Sequence, residues 1–152
     1  MMNDTSQHKS YKDILNEYGV LAQYPTGYSM YPMLRQNIDT VVIKKIKDKP
    51  KENDVVFYLR DNGKYVLHRI IKVKKDGYVI RGDNCFFNEY DIKDRHIIGI
   101  LEGFYRNDKY IDCKTNKKYK AYVYFYRGTY YIRKFYSRFR SLLSKIKHNI
   151  IK

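Results

Sequence analysis

The sequence predicts a mainly β protein: a partly open, antiparallel, barrel-like β domain with a short helix before it and a basic helical tail after it. Three observations carry this expectation. A helix-start signature stands at Ser10–Asp13. Short β-branched or aromatic runs then recur between turn signals from Thr40 to Leu101. From Phe135 onward the apolar residues change to steps of three and four, the period of a helix face.

Ser10-Tyr11-Lys12-Asp13 reads as a capping box, in which the Ser and Asp side chains satisfy each other's backbone N–H groups. Ile14, Leu15 and Tyr18 form the expected buried stripe, and Gly19 ends the helix. Thr40–Ile43 is a strand bounded by Asp39 and a lysine run, and Asp54–Leu59 is a second. An Asp61-Asn62-Gly63 turn leads into a return strand over Lys64–Val73. Asp76-Gly77 turns the chain into Tyr78–Arg81, and Ile97–Leu101 makes one more strand. In the tail, Phe135, Phe139, Leu142, Leu143, Ile146 and Ile150 line one helix face, while the aromatic stretch Tyr119–Tyr131 fits a helix or a hairpin. These readings divide the chain into a helical lead-in at 1–26, a β domain at 27–112 and a basic amphipathic tail at 113–152.

At 152 residues, with 43% hydrophobic and 31% charged residues, the chain has the usage of one globular domain with a short appendage. Wholesale disorder and a polytopic membrane protein are excluded. The net charge of +15 is unevenly distributed. Lys114–Lys152 holds twelve Lys or Arg and no acid, so the remainder is only slightly basic. Such a block calls for an anionic partner, a membrane surface or a nucleic acid. Cys85 and Cys113 are too few for a disulfide framework, and His8, His68, His96 and His148 show no metal-ligand spacing, so no metal or cofactor is expected. With no secretory signal and no apolar run of about 18 residues, a cytoplasmic location is expected, peripheral at a membrane if the tail binds one.

Three segments carry chemistry together. The first is Gly27-Tyr28-Ser29-Met30-Tyr31-Pro32-Met33-Leu34, followed by Asp39; the second is Asn53–Phe57 leading into Tyr65-Val66-Leu67-His68-Arg69-Ile70-Ile71; the third is Ile80-Arg81-Gly82-Asp83-Asn84, followed by Ile97-Ile98-Gly99. A serine hydroxyl becomes a nucleophile when a neutral imidazole takes its proton, and a carboxylate on the far ring nitrogen fixes the tautomer. Ser29 in a Gly-x-Ser turn just before Pro32, a residue suited to the first helical position, would stand beside unpaired backbone N–H groups able to hold an oxyanion. Singly, Ser-x-x-Pro, a strand histidine and Gly-Asp-Asn are ordinary turn or packing features; their joint order is what raises them above that.

In that order the segments resemble the type I signal peptidase superfamily, which also includes the LexA-like self-cleaving repressors. The resemblance covers roughly Gly27–Leu101 and implies a serine endopeptidase on an all-β fold, cleaving a peptide or a leader-bearing precursor. It implies Ser29 as nucleophile and Met30 beside it in substrate binding. Bacterial members place a lysine base where this chain has His68, so the likeness is to the archaeal and endoplasmic-reticulum branch, which uses serine and histidine with an acidic partner. Asp83 matches the G-D-N aspartate; Glu89, six positions on, is the alternative acid, and the choice stays open. Arg69 is expected to support the site. Members that clear exported proteins carry a membrane segment before the serine, and the repressors carry a DNA-binding domain there. Neither is expected from the 28 residues ahead of Ser29, so the chain reads as a compact form without an anchor.

The competing expectation is a catalytically idle β domain whose basic aromatic tail binds an anionic membrane or nucleic acid. Separate apolar and basic faces favour a membrane surface over a nucleic acid. For the stripe Phe135 to Ile146 itself, the residues favour packing on the β domain, with the charge left in solvent.

Overall fold

In the computed structural model, residues 9–150 are described, with side chains through Lys145; the polar stretch before residue 9 and the side chains of Ile146 and Ile150 lie outside the described residues. The chain forms two compact units, 1–116 and 117–152.

Helix α1 (Tyr11–Tyr18) opens as its sequence dictates: Ser10 Oγ accepts from the Asp13 N–H and the Asp13 carboxylate reaches back to the Ser10 N–H. Gly19, at φ 73°, closes it in the left-handed conformation, its N–H bonding to the Leu15 carbonyl. Leu15 is buried, but Tyr18 is exposed with the Lys9 ammonium over its ring, so the buried stripe is narrower than expected.

Eight strands follow: β1 (Val20–Gln23), β2 (Asp39–Lys45), β3 (Val55–Leu59), β4 (Tyr65–Lys74), β5 (Gly77–Arg81), β6 (Glu89–Ile92), β7 (Ile97–Arg106) and β8 (Lys109–Asp112). They form one open antiparallel sheet in the order β1-β2-β7-β3-β4-β5-β6, with β8 also on β7. The long strand β7 binds β2 along one edge and is shared by β3 and then β8 along the other. Val56, Tyr58, Ile70, Tyr78, Ile80, Ile92 and Ile97 pack as the core cluster on one face of β3–β7. Because side chains alternate across a strand, that face also takes His68, two residues before Ile70, while Arg69 points to the other.

The second unit holds α2 (Lys117–Gly128) and α3 (Tyr130–Ile150). The ambiguous aromatic stretch is therefore helical, with Tyr122 and Tyr126, one turn apart, stacked at 4.9 Å. Its apolar stripe is not core: Phe135, Phe139, Leu142 and Leu143 are between 49% and 74% exposed.

Candidate active site

The loop between β1 and β2 carries Ser29. It is a run of turns, with the Tyr31 N–H on the Tyr28 carbonyl at 3.1 Å and the Leu34 N–H on the Met30 carbonyl at 2.9 Å; no helix opens at Pro32. Among the described residues the N–H groups of Ser29 and Met30 take no main-chain partner. Two arginine–carboxylate pairs, one buried and one half-buried, hold the end of this loop at Met33. Arg106 grips Asp39 through Nε and Nη2 and donates to the Met33 carbonyl at 2.6 Å. Arg69 lies against the Met33 sulfur at 2.8 Å. Bidentate geometry makes both pairs stiff anchors, reinforced by burial at Arg69–Asp83.

Arg69 also decides where Asp83 goes. Its guanidinium, 1% exposed, holds the two Asp83 oxygens at 2.8 and 2.7 Å and the Asn53 carbonyl at 2.7 Å. The first-named candidate for the histidine's acidic partner is thus engaged on the opposite face of β4 from His68. Within the Gly82-Asp83-Asn84 turn it is Asn84 that fastens the serine loop. The Asn84 N–H donates to the Ser29 carbonyl at 2.7 Å and its side chain to the Tyr28 carbonyl at 3.2 Å. A β-carbon on residue 82 would stand 2.6 Å from the Ser29 carbonyl oxygen and 3.0 Å from His68 Nε2, so only glycine lets the turn pass between them.

His68, 3% exposed on β4, finds its carboxylate on β6. Its Nδ1–H donates to Glu89 Oε1 at 2.8 Å, which fixes the proton on Nδ1 and turns the Nε2 lone pair toward the Gly82–Ser29 side. The pairing register explains the meeting. Ile70 opposes Ile80, and Ile80 opposes Glu89, so Glu89 shares the face of His68. Arg69 opposes Arg81, two residues from Asp83, on the other face.

Two further groups complete this network, neither singled out by the sequence. Tyr58 Oη donates to Glu89 Oε1 at 2.8 Å and lies 3.2 Å from His68 Nδ1. Arg60 holds both Glu89 oxygens, at 2.8 and 2.7 Å. Tyr58 carried a findable signal, since it shares the face of Val56, opposite His68. Arg60, just past the strand end, carried none. Burial raises the Glu89 carboxyl, but the hydrogen bonds from His68, Arg60 and Tyr58 outweigh it and hold the group down at about 2. Burial, then the Glu89 hydrogen bond, pushes the Tyr58 phenol far up, so it stays a donor.

Ser29 and His68 line one cleft of about 330 Å³. Met30, Leu34, Val41 and Phe57 give it an apolar floor, while Arg60 and Phe87 stand at its rim. Cys85 lines it too, with its thiol raised first by burial and then by the Glu89 charge, which disfavours a thiolate nucleophile. No group of three or more His, Cys, Asp or Glu side chains arranged to hold a metal occurs among the described residues. No family model matches the chain, and no curated protein or solved structure matches it significantly.

Proposed function

We propose that the protein is a serine endopeptidase in which Ser29 is the nucleophile, His68 the base and Glu89 the residue that orients the base. The observation that carries this reading is the His68–Glu89 hydrogen bond. It commits Nδ1 as donor and leaves Nε2 as the acceptor on the side of the serine loop. The likeness of the G-x-S-M-x-P, H-R and G-D-N segments to the signal peptidase superfamily supports it independently.

In this mechanism a peptide lies in the cleft, with an apolar side chain on Met30 and Leu34. Ser29 Oγ attacks the scissile carbonyl carbon as His68 Nε2 takes its proton, and Glu89 stabilises the imidazolium that forms. The Ser29 N–H, which takes no main-chain partner among the described residues, is the donor assigned to the developing oxyanion. His68 returns the proton to the departing amine, and water then releases the acyl group from Ser29 by the same route. Asp83 and Arg69 act as positioning residues, holding the nucleophile loop.

The test is cleavage of an unbiased peptide library by the full chain. Wild type is expected to cut, whereas Ser29→Ala and His68→Ala each lose at least about 10³-fold in kcat/KM. Ser29→Ala should keep an unchanged melting temperature, and His68→Ala should be folded but less stable, since it strips the buried Glu89 carboxylate of one partner. Cleavage that survives Ser29→Ala refutes the assignment, and absence of cleavage by wild type favours the idle binding domain.

A further inference from the structure

From the exposed face of α3 we infer that this helix lies flat on an anionic lipid bilayer. The inference does not depend on the peptidase reading. At about 100° per residue, Ile132, Phe135, Tyr136, Phe139, Leu142 and Leu143 fall within an arc of about 120°. All six are exposed. Arg140 borders that arc on one side, and Arg138 and Lys145 on the other. Ser137, Ser141 and Ser144 lie toward the opposite pole, where Lys134 also stands, and Arg133 is held by the Tyr126 carbonyl and ring. Basic residues at the flanks, with small polar ones at the pole, suit a helix sunk to its equator. Lys and Arg stems then cover apolar surface while their charges meet lipid phosphates.

Charge separates this occupant from the others. No Asp or Glu occurs from Lys114 to Lys152, so the field is positive throughout and complements anionic headgroups. A second copy of α3 would bring like-charged flanks together with no acid to pair them. A nucleic acid would be met by charge and by stacking on Phe135, Tyr136 and Phe139, and would leave the exposed aliphatic residues Ile132, Leu142 and Leu143 without a role. No described helix is long and apolar enough to cross a membrane, so the helix lies on the surface.

The chain has no Trp, which makes one introduced residue a clean depth probe. In the full chain, Phe139→Trp is expected to blue-shift on phosphatidylglycerol vesicles and not on phosphatidylcholine, whereas Ser141→Trp, at the opposite pole, shifts on neither. Phe139→Gln with Leu143→Gln keeps helix propensity and is expected to weaken vesicle co-sedimentation at least about tenfold. Replacing Arg138, Arg140 and Lys145 by Gln should weaken it by a similar factor at low salt and by less at high salt. The proposal is overturned by any of four results. These are no wild-type vesicle binding, equal shifts of both Trp probes, binding indifferent to the Gln pair, or a concentration-dependent dimer that the Gln pair dissolves. Single-stranded nucleic acid bound with a steep salt slope in place of vesicles would overturn it equally.

Discussion

Glu89 is the residue on which the site turns, because His68, Tyr58 and Arg60 all meet at its carboxylate. Its carboxyl is held at about 2, below the ordinary value near 4.5. A depressed carboxylate contributes stability that is complete above its ordinary pKa and is lost as pH falls through the folded value. Wild type is therefore expected to lose stability, on the order of 2 kcal/mol from this group, between about pH 4.5 and 2. Glu89→Gln should lack that component, which urea unfolding across this range measures directly. Equal acid sensitivity in both proteins would mean that the carboxylate is not held by its partners. Asp83→Asn should behave differently. It breaks a buried pair with Arg69 and is expected to cost about 3–5 kcal/mol at neutral pH, read as a shifted urea midpoint.

At the scale of elements, what could be read in the sequence depended on whether local chemistry or tertiary contact decides the structure. Both ends of helix α1 were legible, since the Ser10–Asp13 box and Gly19 define them, but its buried face was not, because Tyr18 is exposed. Strands β2 to β5 were legible from β-branched runs between turns. Strand β6 was not, because Tyr90 and Asp91 are exposed and Asp91 is left-handed at φ 62°, which leaves no apolar alternation. The continuation of β7 past Leu101 was hidden by Gly103. A β-carbon there would lie 2.5 Å from the Ile111 carbonyl and from Tyr110 Oη, so the glycine marks where β8 closes onto the strand. The choice between Asp83 and Glu89 needed the register of β4, β5 and β6, and register is fixed by pairing that no single segment encodes. Ser29, His68 and Asp83 could be picked out from the sequence, but not that Asp83 serves Arg69. Gly82→Ala tests the turn as an element. The added methyl collides with the Ser29 carbonyl backbone, so the variant should lose about 1–3 kcal/mol of stability and most of its activity. Full activity in a folded Gly82→Ala chain would contradict the close approach.

Across the whole molecule, the candidate site exists only when distant segments meet: the 28–34 loop, β4, the turn after β5 and β6. The sheet order brings them together by placing β4, β5 and β6 side by side. The basic tail belongs to a separate compact unit. Chemistry and surface binding are thus separable in this account, and Ser29→Ala should leave vesicle binding intact. The central claim is that folding makes Ser29 a nucleophile through His68 and Glu89. It is tested most directly by the rate at which a fluorophosphonate modifies the native full chain, with the adduct located by peptide mapping. The account predicts one adduct, on Ser29, lost on unfolding in urea and in His68→Ala. It also predicts slowing of about 10²-fold or more in Glu89→Gln, with much less slowing in whatever fraction of Asp83→Asn remains folded. An adduct elsewhere, or a Ser29 adduct that forms as fast without His68, would contradict it.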